Sequence, residues 1–171
     1  MKIKKIFVII FFVLFNISIS TANDTIAFVD LNYVLTESKS GKKILDDLQR
    51  KNNSNLEFFK SKEQKLKKEQ AEINKLKNIL AAEEYNNKFS LFKKKVETYN
   101  QKKSKMIKTF EDSKNEELKK FFVNLNKLMN DFMLEKSINV ILDKKNIVMA
   151  NIKNDISDEI LQLVNKNELS Q

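Results

Sequence analysis

The chain has 171 residues, no Cys, His, Trp or Pro, a single glycine (Gly41) and a formal net charge of +9. These absences exclude disulfides and thiol chemistry, and they remove the commonest metal ligand and the usual general base. One glycine cannot build a phosphate-cradling loop of the Walker or dinucleotide kind. The expectation is therefore a non-enzyme, with no catalytic residue, no cofactor and no metal site.

Met1 to Ala22 reads as a secretory signal peptide. Lys2, Lys4 and Lys5 form a charged start, and Ile6 to Phe15 is an unbroken apolar run. Ser20 and Ala22 then put small residues three and one before a cut preceding Asn23. Ten apolar residues make about 15 Å of helix, too short for a bilayer core of about 30 Å. The alternative is an uncleaved anchor. Export with cleavage implies a periplasmic protein.

Thr25 to Leu31, TIAFVDL, has the β-branched and aromatic content of a strand. Asn32 to Leu35 fits a helical turn. Ser38 is the expected cap of a long helix, and Gly41 in its first turn suits close packing. This helix is expected to reach about Asn78. Leu45, Phe59, Leu66, Ile73 and Leu80 fall on one line with a step of seven, interrupted by Asn52. Such a step is two helical turns, so the residues form a stripe along one face.

The chain should reverse between Asn78 and Glu84, at ILAAEE, where no Gly, Pro, Ser or Asp marks a turn. A second long helix is expected from about Glu83 to Lys136. Its stripe runs through Phe89, Phe92, Val96, Tyr99, Lys103, Met106 and Phe110, then resumes one position late at Leu118, Phe121, Leu125, Leu128 and Phe132. A slip of this kind turns the stripe toward a new partner. Glu63, Gln70 and Lys103 stand where a strong coiled coil would be apolar, which predicts a pliable pairing.

Ile138 to Asp143 reads as a second strand and Ile147 to Ala150 as a third, joined in a hairpin. Asp155-Ile156-Ser157 opens a last helix to about Asn165, with Ser157 as its natural cap. The fold class is thus α+β, predominantly α: a small β-rich body with a long antiparallel helical hairpin as its arm. Residues 23–50 and 118–171 form the body, and 51–117 the arm. So small a sheet buries little apolar surface against its chain entropy, and pooling several bodies in a closed oligomer is the ready remedy.

Charge follows the same division. Residues 51–120 hold 19 lysines against 11 acids, a net of +8. Every basic residue is Lys except Arg50. Lysine is a hydrated point charge, suited to a diffuse field rather than base or phosphate readout. Nucleic acid is not expected as a partner. A charged helical stalk, membrane-anchored through an uncleaved first segment, is the alternative architecture; the strands at both ends weigh against it.

The two ends of the chain, IAFVDLNYVLTESKSGKKILDDL at 26–48 and INVILDKKNIVMANIKNDISDEILQLVNK at 138–166, resemble the Skp/OmpH family of periplasmic chaperones. Ile26, Val29, Asp30, Ser38 and Gly41 fit its pattern at the front, and Asp-Ile-Ser opening a helix fits it at the back. The resemblance implies a homotrimer with a β-rich trimerisation body and three helical arms around a cavity. It implies an ATP-independent holdase for unfolded outer-membrane proteins, and it brings an anionic membrane or lipopolysaccharide into view as a further contact. The arm of the best-known member is rich in arginine where this one is rich in lysine, so no basic residue carries over by position. Off-stripe apolar residues Phe58, Ile79, Tyr85, Leu91 and Ile107 are the candidate client contacts. Each has packing within the hairpin, or ordinary surface exposure, as its alternative.

Overall fold

The computed structural model describes residues 25–168, so the export signal expected over 1–22 lies outside the described residues. Strand β1 (Ile26–Val29) leads into helix α1 (Leu31–Glu37) and then α2 (Lys39–Lys75). A short 3-10 turn, Leu76–Asn78, reverses the chain into α3 (Ala82–Lys136). Strand β2 (Val140–Asp143), two further 3-10 turns and α4 (Ser157–Glu168) complete it.

Side-chain chemistry sets the element starts. The Asp30 carboxylate accepts the Tyr33 N–H at 2.9 Å and starts α1. The Ser38 hydroxyl accepts the Gly41 N–H at 3.1 Å and starts α2, as expected. A cap of this kind is worth about 1 kcal/mol. Gly41 is buried, and a β-carbon there would overlap the Leu35 carbonyl oxygen. The lone glycine is thus required where α2 turns tightly back on α1.

The hairpin is antiparallel. Partner residues on α2 rise from Lys51 through Glu63 to Glu69, while those on α3 fall from Ser113 through Lys103 to Lys95. All seven residues of the first stripe on α3, Phe89 to Phe110, are at least partly buried. At the slip, burial spreads over Ser113, Lys114, Glu117 and Leu118 before settling on Phe121 and Leu125. At 1.5 Å per residue, α2 runs about 55 Å and α3 about 80 Å. The excess length of α3 is what reaches into the core.

That core gathers Ala27 and Val29 of β1, Val34 of α1, Phe121, Leu125 and Phe132 of α3, Ile138, and Ile156, Ile160 and Val164 around α4. It is built from both ends of the sequence. Strand β1 pairs with β2 in parallel, Ile26 opposite Val140 and Val29 opposite Asp143, with the whole hairpin as the crossover. On its other edge β1 meets the chain entering α4, where the Ile156 N–H donates to the Phe28 carbonyl at 2.9 Å.

Two expectations are corrected. Ile147 to Ala150 forms no strand, and β2 has no hairpin partner among the described residues. The segment leaves Val148 and Met149 almost wholly exposed. Its apolar, β-branched composition suits a strand, but after the 3-10 turn Lys144–Asn146 it does not pair with the free edge of β2. Ser157 does not turn its hydroxyl onto its own helix. The hydroxyl accepts the Asp30 N–H at 2.8 Å and donates to Asp155 at 2.5 Å.

Candidate functional site

Among the described residues, no cluster of carboxylates could hold a metal ion and no helix is long and apolar enough to cross a membrane. The chemistry on offer is an elongated surface of lysines and isolated apolar groups. Twelve large apolar side chains are exposed among the described residues. Leu56, Ile79, Leu91 and Ile107 stand on the arm; the other eight lie on the body, including Ile26, Val140 and Leu142 on one face of the sheet. The opposite face, with Ala27 and Val29, is the one packed on the helices.

The five candidate contacts divide into two groups. Ile79 at the tip is 73% exposed, Leu91 60% and Ile107 47%. Phe58 and Tyr85 are partly buried and engaged within the arm. Phe58 packs edge-on against Phe59 at 6.0 Å, under the ammonium groups of Lys102 at 4.7 Å and Lys62 at 5.7 Å. Tyr85 stacks on Phe89 at 5.9 Å. The five do not gather at one point: Tyr85 and Ile107 stand about 33 Å apart along α3, at 1.5 Å per residue. Leu56, which the stripe pattern did not single out, is 55% exposed. Its signal was available in the sequence, as an apolar residue off the α2 stripe.

Two open grooves follow the line between the helices. Toward the tip, Leu91 joins Ile73, Leu76, Lys88 and Lys95 around about 670 Å3. At the root, Met106 and Phe110 lie beneath Lys51, Lys102 and Lys105 in a groove of about 990 Å3. Thr98 borders both grooves, so they share one side of the hairpin.

Polar pins hold the hairpin between them. One oxygen of Glu63 accepts from Lys103 and from Tyr99, each at 2.7 Å. The Lys103 ammonium and then the Tyr99 hydroxyl hold the Glu63 carboxyl below the usual range, and Glu63 in turn raises Lys103. Lys95 pairs with Glu69 at 2.5 Å nearer the tip. In the body, burial pushes the Asp155 carboxyl up, but hydrogen bonds from Lys144 and Ser157 outweigh it and the net displacement is downward.

A sequence model described as "Outer membrane protein (OmpH-like)" matches residues 25–164. The chain belongs to the OmpH-like family. Comparison with curated proteins finds no match. Among solved structures, the chain is similar to a crystal structure of a candidate outer-membrane chaperone (OmpH-like) from Caulobacter crescentus. The two are 16% identical and superpose with a TM-score of 0.75, over 85% of this chain and 86% of that one. That likeness fixes the fold, a mainly helical OmpH-like architecture with a long hairpin on a small body. Membership in the OmpH-like family supports the reading of this chain as a chaperone.

Proposed function

We propose that this OmpH-like chain is an ATP-independent periplasmic holdase, which binds unfolded outer-membrane proteins between helical arms and keeps them from aggregating. The observation that carries the reading is the long two-helix arm, on which Leu56, Ile79, Leu91 and Ile107 stand exposed at separate points among lysines. Scattered contacts of this kind hold an unfolded chain weakly at many points, and a weakly held chain leaves when its own folding competes. The net +8 of residues 51–120 draws in acidic clients over a Debye length. Ile79, Leu91 and Ile107 are the contacts the geometry favours. Phe58 and Tyr85 would need to leave their own neighbours first.

The body supports assembly as a homotrimer. Eight of the twelve exposed large apolar groups crowd onto its small surface. Val148 and Met149 lie exposed on a segment without a strand partner, Ile152 lies exposed in the 3-10 turn that follows it, and the outer edge of β2 is open among the described residues. Apolar exposure on this scale marks an interaction surface. The pairing of β1 with β2 closes the chain's two ends on each other, which a continuous membrane-anchored stalk would not require. Dilution of an unfolded β-barrel protein from denaturant, with and without the chain, tests the reading through turbidity and complex mass. Suppressed aggregation and a complex with three copies of the chain are expected. Undiminished turbidity, or a monomer at micromolar concentration, would sink it.

A further inference from the structure

The root groove has an origin in the sequence. Along α2, the stripe offers no buried apolar side chain between Leu48 and Phe59. Asn52 and Asn55 stand in that gap, and Asn55 lines the groove. Met106 and Phe110 on α3 continue their own stripe, so they face a polar partner and stay accessible as an apolar floor. The remainder of the lining is hydroxyls, amides and cations, and it contains no carboxylate.

The cations are unevenly satisfied. Arg50 pairs with Asp47. Lys51 reaches only the Ser113 hydroxyl, at 3.3 Å, and Lys102 lies over the Phe58 ring. Among the described residues, Lys51, Lys102 and Lys105 form no ion pair, as is true of most lysines of the arm; what sets these three apart is that they line a groove with no carboxylate in it. The tip groove is different, because Glu69 and Glu72 line it beside its lysines. The side of the hairpin is therefore graded, from mixed charge at the tip to purely cationic at the root.

We infer that the root groove is a selective anchoring subsite for client segments in which a large apolar side chain is flanked by Asp or Glu. The inference rests on the holdase reading and names what that surface prefers. The apolar floor takes the side chain, and the unpaired lysines take the carboxylates. A volume of about 990 Å3 is at the upper end for small-molecule sites, room for several residues of an extended chain. Charge complementarity at an exposed rim sets preference and capture rate more than raw affinity. The groove thus biases which part of a client docks at the root, and the rest of the client trails toward the tip.

The test uses the full-length protein and two fluorescent peptides, one with Phe flanked by Asp and one with the same Phe flanked by Asn. Anisotropy should show the Asp peptide binding about tenfold more tightly, with the gap closing at about 0.5 M salt as screening sets in. A photo-crosslinking residue at Thr109 should capture the Asp peptide, and one at Leu91 should not discriminate. Lys102→Glu combined with Lys105→Glu changes surface groups only and should reverse the preference toward a Lys-flanked peptide. Equal binding of both peptides, or capture at Thr109 of phosphatidylglycerol vesicles in place of peptide, overturns the inference. Aggregation suppression is measured in parallel. Suppression without peptide preference removes the groove and leaves the holdase; loss of suppression removes the holdase reading itself.

Discussion

Lys103 of α3 donates to Glu63 of α2 at 2.7 Å, so two residues that each interrupt an apolar stripe are partners across the hairpin. Taken singly they are faults in a coiled coil. Together, with Tyr99 on the same carboxylate oxygen, they fix which residues of α2 face which of α3. A polar pair in a seam specifies register at some expense of stability.

Glu63→Gln should therefore loosen the arm while sparing the body. Hydrogen exchange should quicken around residues 59–66 and 96–106 and stay unchanged around Leu125 and Ile160. The Glu63 carboxyl sits below its ordinary value, so its contribution is complete above about pH 4.3 and is lost as pH falls through the depressed value. The wild-type arm should lose protection in acid, and the Gln variant should show no such limb. Uniform protection loss across arm and body would count against the pin.

Gly41→Ala should be among the most damaging single changes. The added methyl meets backbone, the Leu35 carbonyl, which cannot swing aside as a side chain would. Overpacking of this severity costs about 3 kcal/mol. Urea unfolding should show a large fall in midpoint, and a change below about 1 kcal/mol would refute the close approach.

Ser157 and Asp155 join β1 to α4, and their loss should separate those elements. Ser157→Ala leaves the Asp30 N–H without its acceptor, at a cost of about 1–3 kcal/mol. Lys144 donates to Asp155 at 2.8 Å, which lowers the acid and raises the base. The acid's contribution is present above about pH 3.9 and lost below it; the base's is present below about pH 10.4 and lost as pH rises through its higher folded value. Urea midpoints plotted against pH should fall at both extremes, and Lys144→Gln should flatten both limbs. A profile identical to that of the wild type would show that the pair contributes nothing.

Val148→Asp with Met149→Lys should dissociate the proposed trimer without unfolding the chain. Both side chains are exposed in the single chain, so charge there costs the monomer little. Analytical ultracentrifugation should report monomer with unchanged helical circular dichroism. A trimer that survives the double change would place the interface elsewhere on the body.

Much of the fold is legible in the sequence because its governing signals are local. A seven-residue step needs only one helix to show it, and every predicted α3 stripe residue from Phe89 to Phe110 is at least partly buried. Ser38 and Gly41 act within one turn of themselves. What the sequence could not display is the choice of distant partner. Ser157 has the chemistry of a helix cap, yet its hydroxyl serves a backbone N–H 127 positions away. Ile147 to Ala150 has the composition of a strand, but composition does not say whose edge it meets. At the candidate site, the sequence marked Phe58 and Tyr85 as off-stripe, and it could not show that Lys102 and Phe89 already cover them. It marked Asn52 as a break in one stripe, while the opening at the root depends on what α3 presents opposite.

The parallel pairing of Ile26 with Val140 also orders events in time. A chain that emerges N-terminus first makes β1 at once and must hold it unpaired through the whole of both long helices. The hairpin closes through neighbours in sequence and can form early; the sheet, with its distant partners, forms last. A product truncated between the end of α3 at Lys136 and Val140 keeps both arm helices and lacks the strand that completes the sheet. The body is therefore complete only when the whole chain through α4 has been made.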